Sequence, residues 1–198
     1  MDLSMGNLID LETYKTSESI QSTKDDTRIS LLITAVSQLV KTYCGTTIVD
    51  HYSTDKAEEF TISWGTNLVQ LTESPFVSIT TVQERKDFAS SYTTVPATEY
   101  YVDGSTDTVY RVNTSGSIKN WPTGPASVKI TYKAGYANCP ADLELAVIDL
   151  ITYYMKDERK ARQTMQGASI QNQSSSSQRD NVAFPDHIKR VLDLYKNF

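Results

Sequence analysis

The sequence predicts an α+β fold: a helical bundle core, an inserted antiparallel β-rich region and a C-terminal helical arm. Three observations carry this. Apolar residues recur at spacings of three and four before residue 45 and again after residue 140. Between residues 46 and 137, Thr, Val, Tyr and Ile dominate and turn residues cut the run into short pieces. Residues 163–181 are polar and low in complexity, with Ser174–Ser177 at their centre, and a short amphipathic stretch follows. The expected organisation is therefore a body over 1–162 and a flexible loop with a closing helix over 163–198.

The clearest helix is 27–44. Ile29, Leu32, Ile33, Val36, Leu39, Val40 and Tyr43 form one stripe, Asp25 or Asp26 can cap the start, and Gly45 follows the end. Arg28, Ser30, Thr34, Ser37 and Lys41 read as its polar face. A shorter helix is expected over 8–16. A third, over 140–160, starts at Pro140, whose missing N–H is unused in a first turn. Its stripe is Leu143, Ala146, Val147, Leu150, Ile151 and Tyr154, and Lys156, Arg159, Lys160 and Arg162 complement the dipole at its end. The last helix, Pro185–Lys196, carries Ile188, Val191, Leu192 and Tyr195 on one face. In the β insertion, strands are expected at Glu58–Ser63, Asn67–Thr72, Val77–Gln83, Glu99–Asp103, Thr108–Asn113 and Ala126–Tyr132. Polar alternate positions suggest a small antiparallel sheet with one wet face.

Composition narrows the function. The 198 residues carry a net charge of -5 and a pI near 5.0. An ordinary nucleic-acid binder needs clustered Lys and Arg, so that class is disfavoured. No apolar run approaches the roughly 20 residues that span a bilayer. The first ten residues carry two acids and no base, unlike a signal or transit peptide. Cys44 and Cys139 make no disulfide framework or zinc pattern, and reduced thiols are expected. His51 and His187 have no ligand or triad partner at a useful spacing. There is no phosphate loop, nucleophile elbow or zinc-protease motif. No catalytic residue, cofactor or metal is expected. The twelve tyrosines, including the doublets Tyr100-Tyr101 and Tyr153-Tyr154, suit an interface. They equally permit a second reading, a β-rich module that binds a carbohydrate or a host surface protein.

Several short motifs then occur in a distinctive order. The long helix ends Lys41-Thr42-Tyr43-Cys44-Gly45. A strand pair reads Val69-Gln70-Leu71-Thr72-Glu73-Ser74-Pro75-Phe76-Val77-Ser78-Ile79. The run Ile130-Thr131-Tyr132-Lys133-Ala134-Gly135-Tyr136 leads into Pro140-Ala141-Asp142-Leu143, and the chain closes on Phe184-Pro185 and a helix ending Leu194-Tyr195. This order resembles the head–tail connector (adaptor, head completion) family of tailed bacteriophages, over essentially the whole chain. The β insertion is longer, and the Ser/Gln-rich loop more polar, than the family pattern.

The resemblance implies a non-enzymatic virion protein of the phage neck, assembled in the host cytoplasm, with no membrane partner. It implies a homo-oligomeric ring of about twelve subunits closed by a heterologous interface. The ring would sit between the portal protein and a tail-side stopper or tail completion protein, and DNA would pass through without specific binding. Much of the ring contact is expected from the helical body, with Arg28, Lys41, Glu144 and Asp149 setting register by complementary pairing; solvated faces are the alternative. Ile188, Val191, Leu192 and Tyr195 are the candidate portal-docking face of the arm, in a helix-in-groove mode. The alternative is that this helix folds back onto its own core.

Overall fold

A computed structural model describes residues 6–156, 164–165, 168–169 and 184–196. Among the described residues the fold is mixed α/β, with four α-helices and two larger antiparallel sheets. The chain divides into two compact units. Residues 1–45 and 138–196 make a helical unit, and residues 46–137 a β unit.

In the helical unit, α1 spans Leu11–Ser17, α2 Asp26–Cys44, α3 Ala141–Met155 and α4 Asp186–Leu194. The Asp10 carboxylate caps α1 by accepting from Thr13 N at 2.7 Å, so this helix starts three residues later than the sequence suggests. Gly45 closes α2 at φ 72°, donating its N–H to Lys41 O, a left-handed cap that glycine takes without a Cβ penalty. Pro140 stands just before α3 and Pro185 just before α4, each fixed in φ where no helical N–H is needed. The third helix ends at Met155, and residues 157–160 of the expected span lie outside the described residues. Arg159, Lys160 and Arg162 lie outside the described residues.

The stripes are buried as expected. Ile29, Ile33, Val36 and Val40 of α2 pack toward α3, whose Leu143, Val147, Leu150 and Ile151 are fully covered. Tyr14 of α1 is buried too, its hydroxyl 3.0 Å from Thr152 Oγ1. On the far side, Leu8 N donates to Ser37 Oγ at 3.0 Å and Lys41 Nζ to Gly6 O at 2.6 Å. The segment before α1 therefore lies on two polar positions of α2, one turn apart.

The β unit holds two sheets where the sequence suggests one. The strands are β1 Lys56–Ile62, β2 Leu68–Gln70, β3 Phe76–Glu84, β4 Thr93–Thr94, β5 Tyr100–Asp103, β6 Thr108–Arg111 and β7 Gly124–Ala134. One sheet runs β1-β7-β3-β4 and the other β2-β6-β5. Val128, Ile130, Tyr132 and Ala134 alternate inward along β7, and with Val69, Leu71, Val82, Val109 and Trp121 they form one core. Alternation holds along β1, β2 and most of β7 but not along β3 or β6, and the second sheet was missed because strand periodicity carries no pairing information.

Arg111 links the sheets. It is 2% exposed, grips Glu84 of β3 with two bonds of 3.0 Å, and pairs with Glu99 Oε2 at 3.0 Å. It also donates to Glu99 O and Val112 O, and its guanidinium lies 5.6 Å from the Trp121 ring. A second network surrounds Glu73, which is 4% exposed. Its carboxylate accepts from Thr47 N, Thr47 Oγ1 and Lys56 Nζ, and Lys56 also pairs with Glu58 at 2.7 Å.

The Ala134-Gly135-Tyr136 run also has a physical role. The three consecutive N–H groups donate to His51 O, Pro75 O and Ile48 O. Gly135 sits at φ +99°, and a Cβ there would lie 2.4 Å from Ile48 O. Only glycine fits so close a backbone crossing.

The sequence places a flexible loop over 163–181. Thr164–Met165 (β8) and Ala168–Ser169 (β9) pair as a two-residue ladder. The remainder of that span lies outside the described residues.

Candidate assembly surfaces

The four charges singled out from the sequence have three different placements. Arg28 and Asp149 are exposed, and Glu144 is half-buried. Lys41 is not on a polar face at all. It is 4% exposed and Ser37 2%, because Gly6–Leu8 covers them. Periodicity alone puts both on the wet side of α2, since it cannot see a distant chain segment crossing that side. Arg28 has an internal role as well: its Nη2 donates to Met155 O at 3.2 Å, placing a cation on the last carbonyls of α3.

The candidate docking face of α4 is turned inward. Ile188 is 1% exposed and Leu192 0%, while Val191 and Tyr195 are half-buried. The helix packs on α2 and α3. Tyr43 OH donates to Asp193 at 2.6 Å, Tyr195 OH to Asp142 at 2.6 Å, and the Tyr43 and Phe184 rings meet edge-on at 5.1 Å. Of the two uses of this stripe, folding back onto its own unit is the one the structure displays. The outward residues of α4 are Asp186, His187, Arg190, Asp193 and Leu194, the last 77% exposed.

Sequence reasoning missed the apolar residues left outside. Leu31 of α2 is 68% exposed and Leu145 of α3 59%. Both lie off the buried stripes, and that offset is the signal that could have found them. On the three-stranded sheet, register sets Leu68, Tyr110 and Tyr101 side by side, opposite the buried Val69 and Val109. The Tyr101 and Tyr110 rings lie 6.3 Å apart. Tyr101 is thus the outward member of its doublet. Trp64 is 90% exposed on the Ser63–Thr66 turn, which Gly65 closes at φ +81°. Arg85 stiffens another tip, lying over the Phe88 and Tyr92 rings while bonding Ala126 O.

Little here can do covalent chemistry. Burial pushes the Cys44 thiol up to about 11 and the Cys139 thiol up to about 12, so both stay protonated and unreactive near neutral pH. His51 is half-buried in the β unit and His187 is exposed on α4. Among the described residues no three His, Cys, Asp or Glu side chains gather where they could hold a metal, and no helix is long and apolar enough to cross a membrane.

Comparison with known proteins identifies the family. The family model for "Head completion protein" matches residues 7–198. No curated protein sequence matches the chain. Solved structures share its fold. A chain in the neck of an empty gene transfer agent particle, computed with C6 symmetry, aligns at a TM-score of 0.60 and 15% identity, covering 96% of this chain and 90% of that one. A chain from the virion of a native gene transfer agent particle aligns at 0.60 and 16%, with the same coverage. A third, from a native neck computed with C12 symmetry, aligns at 0.57 and 17%, covering 98% and 94%. With a match along nearly its whole length, the chain belongs to the head completion protein family, the structural, non-enzymatic head–tail connectors of tailed bacteriophages.

Proposed function

We propose that this protein forms a ring of about twelve copies in the neck, joining the portal to the tail and leaving a central passage for DNA. The observation that carries the proposal is the family match over residues 7–198. Similarity of fold to neck proteins in particles computed with C6 and C12 symmetry supports a cyclic arrangement. The net charge of -5 supports a conduit that does not grip its cargo, since each phosphate contact adds steeply to affinity. A tail-side stopper or tail completion protein would take the opposite face of the ring. Assembly would occur in the host cytoplasm.

The portal contact needs restating in view of α4. Its Ile188 and Leu192 face is used within the helical unit, so docking through α4 would fall to Arg190 and Leu194 on its outer side. Cutting the chain after Arg162 would also remove the partners of Tyr43, Cys44 and Asp142, and would confound docking with stability. Co-sedimentation of the full chain with purified portal-bearing capsids is the cleaner test. The proposal expects the protein to pellet with these capsids in about twelve copies each. Equal pelleting with capsids lacking the portal would overturn it. Arg190→Glu with Leu194→Asp should weaken pelleting while leaving the circular dichroism spectrum unchanged.

A further inference from the structure

We infer that neighbouring copies join through two unlike helix faces, the Arg28–Leu31 face of α2 on one copy and the Leu145–Asp149 face of α3 on the next. The inference rests on the ring reading above and assigns its subunit contact.

Both faces are open, and each carries an apolar knob. On α2, Arg28, Leu31, Ala35 and Gln38 follow one another at helical spacing, and all are exposed. On α3, Asp142, Leu145 and Asp149 do the same. A lone exposed leucine is ordinary. Two that are 68% and 59% exposed, one beside a cation and one between carboxylates, are complementary in charge and alike in shape. The patches differ from each other, so their pairing is heterologous, and a heterologous contact closes into a ring when its rotation allows.

Helix direction agrees. Arg28, at the start of α2, bonds Met155 O at the end of α3. Cys44, at the end of α2, donates to Leu192 O, and Tyr195 nearby donates to Asp142 at the start of α3. The two helices are therefore antiparallel within a chain. Rotation about a ring axis keeps the sense of every helix along that axis. All α2 helices then run one way and all α3 helices the other, so a contact between α2 and a neighbour's α3 is antiparallel too.

That direction fixes the register. With Leu31 against Leu145, Arg28 lies roughly 4.5 Å before the contact, and Asp149 roughly 6 Å along the opposing helix on the same side. Their long and short side chains close the difference. Asp142 falls beside the uncharged Thr34–Ala35 turn and already accepts from Tyr195. At the other end Lys24, just before α2, falls nearest the uncharged Thr152 of α3, so the selective pair is Arg28 with Asp149.

Cysteine crosslinking of the full chain on portal-bearing capsids tests this. Leu31→Cys with Leu145→Cys on one chain should oxidise to a ladder extending beyond dimers. Either substitution alone should give no ladder, since the native thiols are protonated and Cys44 is buried. Arg28→Asp or Asp149→Arg should each lower ring occupancy about tenfold, and the two together should restore it to within about twofold. If the unmodified chain forms rings but the double-cysteine chain stays monomeric, or if the double reversal restores nothing, this interface is wrong and the ring stands. If the unmodified chain forms no oligomer on capsids, the ring reading fails and this inference with it.

Discussion

The two units are held together by different physics. The helical unit depends on apolar stripes: Ile29, Ile33, Val40, Leu143, Leu150 and Ile151 are essentially fully covered. Its polar ties include Tyr14 to Thr152 and Lys41 to Gly6. The β unit also has an apolar core, but charged groups are buried along with it. Arg111 holds two carboxylates and two carbonyls, and Glu73 gathers Thr47 and Lys56. Apolar packing degrades gradually under substitution. A buried ionic hub does not, because removing one member strands the others.

The difference can be measured separately in each unit. Both tryptophans, Trp64 and Trp121, lie in the β unit. Trp64 is already in water, so a change in tryptophan emission on unfolding reports Trp121. Helical ellipticity at 222 nm reports mainly α2, α3 and α4.

The largest effect is expected from Arg111→Ala. It leaves Glu84 and Glu99 facing each other without a cation and uncovers two carbonyls. Breaking such a buried cluster costs about 3–5 kcal/mol, toward the lower end here because both carboxylates keep some solvent. For a unit of this size that lowers the midpoint of the Trp121 emission transition on the order of 15 °C. Arg111→Lys should recover little, since an ammonium cannot make the two-bonded grip on Glu84. Parallel loss of both signals, or a shift of only a few degrees, would mean the β unit has no such hub.

Lys41→Met is expected to be milder, and to act on the other unit. Methionine keeps much of the buried volume, so the cost is loss of the ammonium's bonds, that to Gly6 O among them, about 1–2 kcal/mol. The 222 nm transition should fall by several degrees with Trp121 emission little changed. Amide exchange at Leu8, whose N–H bonds Ser37 a turn away, should speed up if residues 6–9 depend on this anchor. Unchanged exchange would show that the anchor is dispensable.

The same contrast explains what the sequence could reveal. Stripes of period 3.6 are local, so α2, α3 and α4 were legible to within a few residues, apart from the end of α3. Cap chemistry was legible too, in Gly45, Pro140 and Pro185. Six strands were recognisable from composition, but β4 is only Thr93–Thr94, too short to carry a pattern. The division into two sheets was hidden because it is made by pairing and by Arg111, whose charge reads as solvent-exposed although alternation sets it on the same face as the buried Val109. Lys41 failed for a related reason. Its neighbours along α2 say "polar face", and the segment that covers it lies 35 residues earlier. The candidate assembly residues divide the same way: Arg28 and Asp149 are exposed, while Ile188 and Leu192 share one apolar face whose occupant only the tertiary structure reveals.

The smallest expected effect is a pH dependence confined to the β unit, centred on Glu58. Burial pushes this carboxyl up, but bonds from Lys56 and Thr72 and the Lys56 charge outweigh it, and the net shift is downward. Lys56 shows the converse. Burial pulls it down, bonds to Glu58 and Glu73 outweigh that, and it moves up. Glu58 is thus a stronger acid folded than unfolded. Its contribution is complete above the unfolded carboxyl value of about 4.3 and disappears as pH falls through the lower folded value. Lys56 contributes fully below about 10.4 and loses its contribution as pH rises through its higher folded value. Between these limits the pair should be insensitive to pH. Below pH about 4 the Trp121 transition should weaken by no more than about 1 kcal/mol from this source, the range of partly exposed ion pairs. Glu58→Gln should flatten that acid slope without altering the neutral plateau by more than the same amount. Titrating Trp121 emission between acid and neutral pH in both chains decides it. Identical acid slopes would place the sensitivity elsewhere, for instance at Asp142 of the helical unit, whose carboxyl the Tyr195 hydroxyl holds low and whose loss would appear at 222 nm instead.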